Sequence, residues 1–154
     1  MKKIITLLFL ATVVLGYAQT HELADEYWDK AEKQKDLGNW EDAAKLYEKS
    51  AEAEKKSPNP RLEDLGIALN NSAFYYQKAE KYDKALPMYL EALETTENSL
   101  GKDHASYGNR LSNLGDLYKT MGQYDKALPL LIEALENREK SLGKDHSGYG
   151  RCLK

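Results

Sequence analysis

The chain has 154 residues, 42% hydrophobic and 31% charged, with 22 lysines and arginines against 25 acids. That length holds one domain with a sizeable core, and its interspersed acids and bases exclude the basic footprint that nucleic acid or an anionic membrane requires. One cysteine, Cys152, excludes an internal disulfide and leaves a buried side chain, a free thiol or an intermolecular bond.

Residues 1–18 have a composition of their own. Lys2 and Lys3 give a positive start, Ile4 to Leu15 is apolar except for Thr6 and Thr12, and Gly16-Tyr17-Ala18 puts small residues at the −3 and −1 positions of a cleavage site. This is the layout of a secretory signal peptide. The apolar run is short of the ~20 residues that cross a bilayer as a helix, and no cysteine follows Ala18 to take a lipid. The expected mature chain starts near Gln19, is exported to the periplasm or the medium, and has no membrane attachment after cleavage. It keeps 20 basic residues against 25 acids, a net charge of about −5.

From residue 21 onward the chain repeats itself. Trp40, Tyr82 and Tyr124 are 42 residues apart, and the 31 residues from Tyr82 match those from Tyr124 at 20 positions without a gap. A fixed period of this size marks stacked supersecondary units. The first unit diverges more, but the run from Trp40 keeps the same apolar positions. Each unit reads as two helices. Between His104 and Met121, Tyr107, Leu111, Leu114, Gly115 and Tyr118 recur at helical spacing. After Gly122-Gln123, Ala127, Leu128, Leu131, Ala134 and Leu135 share one face. The small Ala127 and Ala134 allow a neighbouring helix to approach closely, and no run has the period of a strand.

The string SLGKDH occurs at 99–104 and again at 141–146. Gly101 and Gly143 stand where a helix-terminating residue is wanted, and Asp103 and Asp145 are placed to cap the next helix. In the first unit the same place holds Ser57-Pro58-Asn59-Pro60, a different set of turn residues, so the string reads as a stop and a restart. Pro87 and Pro129, near the fifth position of the second helices, predict a mild irregularity there.

These residues resemble tetratricopeptide repeats. Leu111, Leu114-Gly115 and Tyr118 match the family's first-helix pattern; Leu69, Ala73 and Tyr76 match it in part, with Ser72 in place of Leu. Ala43 with Tyr47, Ala85 with Tyr89 and Ala127 with Leu131 match the second. The 42-residue period and the LGKDH joint are similar to the kinesin-light-chain type, although Ala105 and Ser147 replace its usual proline after His. In bacteria such arrays often precede a caspase-like CHAT peptidase domain or a sensor kinase. The resemblance implies an all-α, right-handed α-solenoid of three helix-turn-helix units at about 21–57, 63–99 and 105–141, with a partial fourth unit at 146–154. It also implies a protein-binding scaffold.

Chemical alternatives fail at the residues they need. A phosphate loop requires Gly where Thr96 and Arg138 stand and Ser or Thr where Asp103 and Asp145 stand. HELAD at 21–25 has Asp25 in place of the second zinc-binding His. His104 and His146 recur one per unit, too far apart to share a metal. Glu91, Glu94, Glu133 and Glu136 read as a solvated face. The expectation is no catalytic residue, no metal and no cofactor.

In tetratricopeptide arrays the first helices line the concave groove. By that resemblance the groove-facing set is Trp28 and Asp29 in unit one, Asn70, Asn71, Phe74 and Lys78 in unit two, and Ser112, Asn113, Asp116 and Lys119 in unit three. Asn71 and Asn113 match the family position whose amide bonds a bound peptide's backbone, since Asn offers a donor and an acceptor. Phe74 and Trp28 are aromatic anchors in the making, and Lys78 and Lys119 suit a ligand's carboxylate. The expected partner is a protein or peptide. The chain stops early in the fourth unit, where Tyr149 and Leu153 would continue the apolar stripe. It therefore reads as a fragment of a longer array, or as a module that self-associates through an uncapped C-terminal end.

Overall fold

The computed structural model describes the backbone of residues 2–142 and the side chains of residues 19–141. Six α-helices follow one another: α1 (Lys2–Asp36), α2 (Trp40–Lys56), α3 (Leu62–Lys78), α4 (Tyr82–Leu100), α5 (Ala105–Thr120) and α6 (Tyr124–Leu142). Among the described residues there is no strand. The fold is an all-α solenoid in which each helix packs on the next. Gly143, Asp145, His146, Tyr149, Cys152 and Leu153, and with them the partial fourth unit, lie outside the described residues.

The repeated aromatics open the second helices: α2, α4 and α6 begin at Trp40, Tyr82 and Tyr124. Small residues let those helices in close. Ala43, Ala44 and Ala85 are wholly buried, and Ala127 nearly so. The main core joins Ala44 of α2, Ala73 and Tyr76 of α3, Ala85 and Tyr89 of α4, and Leu114 and Leu117 of α5. It therefore runs across units, which is how stacked repeats stabilise one another. Gly115 has no side chain because Leu131 of α6 is too near, with carbons 2.8 Å from where a Cβ would sit.

The turn inside each unit is made the same way three times. The amides of Asn39, Lys81 and Gln123 donate to the carbonyls of Gln34, Tyr76 and Tyr118 at 3.0, 2.8 and 2.9 Å. Those of Gly38, Glu80 and Gly122 donate to Lys35, Gln77 and Lys119 at 3.0 Å. This is the double bond of a Schellman ending, whose penultimate residue must take positive φ. Gly38, Glu80 and Gly122 do so, at 75°, 59° and 73°.

Two sequence expectations change. Asp103 does not cap α5: His104 is the capping residue, its Nδ1 accepting from the Ser106 amide at 3.2 Å. An extended backbone at His104 puts its ring, one residue nearer the helix, over the open amides. Gly101 does end α4 with positive φ, at 82°. Second, Leu128 is 62% exposed. Its counterpart Leu86 is covered by the cluster containing Leu114 and Leu117 of α5, and no described helix follows α6 to do the same for Leu128. Pro87 and Pro129 lie inside α4 and α6, and both helices continue past them.

Candidate ligand groove

The first helices of the three units are α1, α3 and α5. Among like helices, α3 and α5 come nearest to each other, joined by two side-chain bonds. Asn113 Nδ2 donates to Asn70 Oδ1 at 2.8 Å, and Gln77 Nε2 donates to Thr120 Oγ1 at 3.5 Å. Asn70 is thereby used up in the wall, being 7% exposed. Asn71, half-buried, makes no side-chain bond to a described residue and keeps both its donor and its acceptor.

An aromatic ladder crosses units one and two. The Trp28 ring meets Tyr47 edge-on at 5.0 Å, Tyr47 stacks on Tyr75 at 5.6 Å, Tyr75 stacks on Trp40 at 5.9 Å, and Phe74 meets Tyr75 edge-on at 5.1 Å. Offset stacked and edge-on rings are the arrangements aromatic quadrupoles prefer. Tyr47 is buried and donates its hydroxyl to Glu32, which also binds Lys35. Burial, then the Glu32 bond, holds the Tyr47 phenol above its ordinary range, while the Lys35 and Tyr47 bonds lower Glu32. The ladder ends at the surface, where Phe74 and Trp40 are 39% and 38% exposed. Lys78 Nζ lies 5.2 Å and 5.7 Å from their ring centres and pairs with no carboxylate among the described residues.

Unit three has a different wall. Ser112, Asp116 and Lys119 line a cleft of about 520 Å³ with Leu131, Ala134, Leu135 and Arg138. Lys119 is held by Asp116 at 2.7 Å, so its charge is already met. Asp29 is exposed on α1. The expected residues thus fall into two places: Trp28, Phe74 and Lys78 along the ladder, and Ser112, Asp116 and Lys119 at the cleft, with Asn70 and Asn113 tying α3 to α5.

Two polar clusters carried no sequence signal. Glu54 of α2 is 2% exposed and accepts from the Arg61 amide at 3.0 Å, from Arg61 Nε at 2.8 Å and from Arg61 Nη2. His21 Nδ1 lies 3.1 Å from the same carboxylate. Burial alone would raise the Glu54 carboxyl, but the Arg61 and His21 bonds outweigh it and hold it below the ordinary carboxylate range. Second, Asn137 of α6 reaches back to the α4–α5 joint, its Nδ2 donating to the carbonyls of Lys102 and His104. Among the described residues no group of three or more His, Cys, Asp or Glu is placed to hold a metal, and no helix is long and apolar enough to cross a membrane.

Comparison with known proteins agrees with this geometry. The family model for tetratricopeptide repeats matches residues 64–140 and 111–154, which together take in more than half of the chain. The chain belongs to the tetratricopeptide repeat family. Its fold is similar to BtubC (BKLC) from P. vanneervenii, with a TM-score of 0.70 at 16% identity, covering 91% of this chain and 62% of that one. The chain therefore spans somewhat under two thirds of that relative's length. It is also similar to the N-terminal domain of stress-induced protein-1 from C. elegans, with a TM-score of 0.63 at 16% identity, covering 88% and 98%. No curated protein matches the sequence. Tetratricopeptide repeats are in general protein–protein interaction scaffolds, typically without catalysis of their own.

Proposed function

We propose that this chain is an exported, non-catalytic scaffold that holds a peptide or protein partner against α1, α3 and α5. The observation that carries the reading is the exposed end of the aromatic ladder. Phe74 and Trp40 are partly exposed, and the Lys78 ammonium lies over both rings with no carboxylate partner among the described residues. Aromatic side chains are frequent anchors of binding interfaces. Asn71, one turn away, supplies a free amide for a peptide backbone.

Export rests on the sequence of residues 1–18. Mass spectrometry of the product secreted from cells expressing the whole gene should find a chain beginning at Gln19. A product that keeps residues 1–18 would sink that part of the reading. For the groove, peptides selected from a random display library on the chain from Gln19 should lose at least tenfold in affinity with Asn71→Ala and with Phe74→Ala. Circular dichroism should be unchanged in both variants. Selected peptides indifferent to both substitutions would place binding elsewhere.

A further inference from the structure

Where α1, α2 and α3 meet, a cavity of about 260 Å³ opens between Asp25, Trp28, Glu54, Arg61, Asp64 and Ile67. It is smaller than the ~300–1,000 Å³ of small-molecule sites, which suits a single side chain better than a cofactor. We propose that this cavity takes the guanidinium of an arginine presented by the partner. The proposal rests on the groove reading and names the chemistry of one side chain bound there.

The charge count gives the sign of the guest. Three carboxylates share one guanidinium, since Arg61 Nη2 bonds both Glu54 and Asp25, the latter at 2.7 Å, and Arg61 Nε lies 3.2 Å from Asp64. Three carboxylates set against the single Arg61 guanidinium leave an excess of negative charge. Glu54 is buried and saturated. Asp25 and Asp64 are 63% and 51% exposed, and each meets Arg61 through one oxygen only. The second oxygen of each bonds no described residue.

The wall gives the shape of the guest. Trp28 lines the cavity, and a planar guanidinium both stacks on an indole and forks onto carboxylates. A lysine ammonium satisfies the charge but neither the stacking nor the fork. Small apolar or neutral ligands leave the charge unmet.

The residues 42 positions after Asp25, Glu54 and Asp64 are Ile67, Thr96 and Ser106, all uncharged. The anionic cluster is a property of the first two units alone.

The test uses the chain from Gln19 and follows the Trp28 indole N–H resonance, assigned by its loss in Trp28→Phe. Blocked Gly-Arg-Gly should shift that resonance saturably. Gly-Lys-Gly should bind several-fold more weakly, and Gly-Glu-Gly should leave it unmoved. Asp25→Asn with Asp64→Asn should weaken the arginine peptide at least tenfold, and Asp64→Asn alone, at an exposed position, serves if the pair fails to fold. No shift with the arginine peptide, an equal shift with the glutamate peptide, or full binding to the neutralised variants would each overturn the proposal. Displayed peptides that need Asn71 and Phe74 but contain no arginine would also overturn it, while leaving the groove reading intact.

Discussion

Asn113 of α5 reaches across to Asn70 of α3, its amide nitrogen 2.8 Å from the Asn70 oxygen. The bond spans 43 residues of sequence and ties two first helices on the side assigned to the ligand. The asparagine in unit three is therefore part of the wall, while its counterpart in unit two, Asn71, is free of the wall.

Asn113→Ala should destabilise the fold by about 1–2 kcal/mol, because it leaves the buried Asn70 oxygen without its donor. Asn71→Ala, which breaks no bond to a described residue, should stay within about 0.5 kcal/mol of the parent. Urea melts of the two variants decide this. Equal stability would mean that the Asn70–Asn113 bond contributes nothing.

Glu80 occupies the position that Gly38 and Gly122 hold in the other two units, and it holds φ at 59°. A side chain in the left-handed region costs about 1–2 kcal/mol relative to glycine, partly offset by glycine's greater freedom in the unfolded chain. Glu80→Gly should therefore stabilise by about 0.5–1 kcal/mol, a rise of about 1–4 °C in thermal midpoint. A fall in the midpoint would mean that the Glu80 side chain contributes more than its backbone strain costs.

Much of the fold was legible because one period governs it. The spacing of Trp40, Tyr82 and Tyr124 located three like helices, and Gly101 marked a helix end that needs positive φ. Contacts between units were not legible, because they depend on how helices stack. Glu54 sits among exposed charges in the sequence, and only the approach of Arg61 and His21 turns it into a buried anion. Tyr47 read as a pattern position of its own unit and Tyr75 carried no signal, and the stacking that carries the ladder out to Phe74 appears only in three dimensions. The cap at His104 was missed by one residue, since Asp is the commoner cap and local backbone geometry decides between neighbours.

The α4–α5 joint is held from outside by Asn137, and Gly108 gives that amide its room. A Cβ on Gly108 would lie 2.2 Å from Asn137 Oδ1. The Asn137 side chain cannot swing aside without losing the carbonyls of Lys102 and His104. Gly108→Ala should cost about 1–3 kcal/mol, and pairing it with Asn137→Ala should recover part of that loss by removing the clash. Thermal melts of the single and double variants measure the coupling. Additive losses would show that the two residues do not meet in solution.

Glu54 makes stability depend on pH in a definite direction. Its carboxyl is held below the ordinary 4.5, so the folded state favours the anion. The stabilisation is complete above pH 4.5 and is lost as the pH falls through the lower, folded-state value. Glu54→Gln keeps the shape without the charge. The gap in melting midpoint between parent and variant should be widest near pH 7 and should narrow as the pH falls below 4.5. Arg61→Met removes the guanidinium but leaves the anion buried, and at neutral pH it should cost about 2–4 kcal/mol, discounted for the partial exposure of Arg61. Acid should narrow that loss too, since protonating Glu54 removes the buried charge. A difference between parent and Glu54→Gln that stayed constant from pH 7 to pH 3 would show that the Arg61 bonds leave the carboxyl unperturbed.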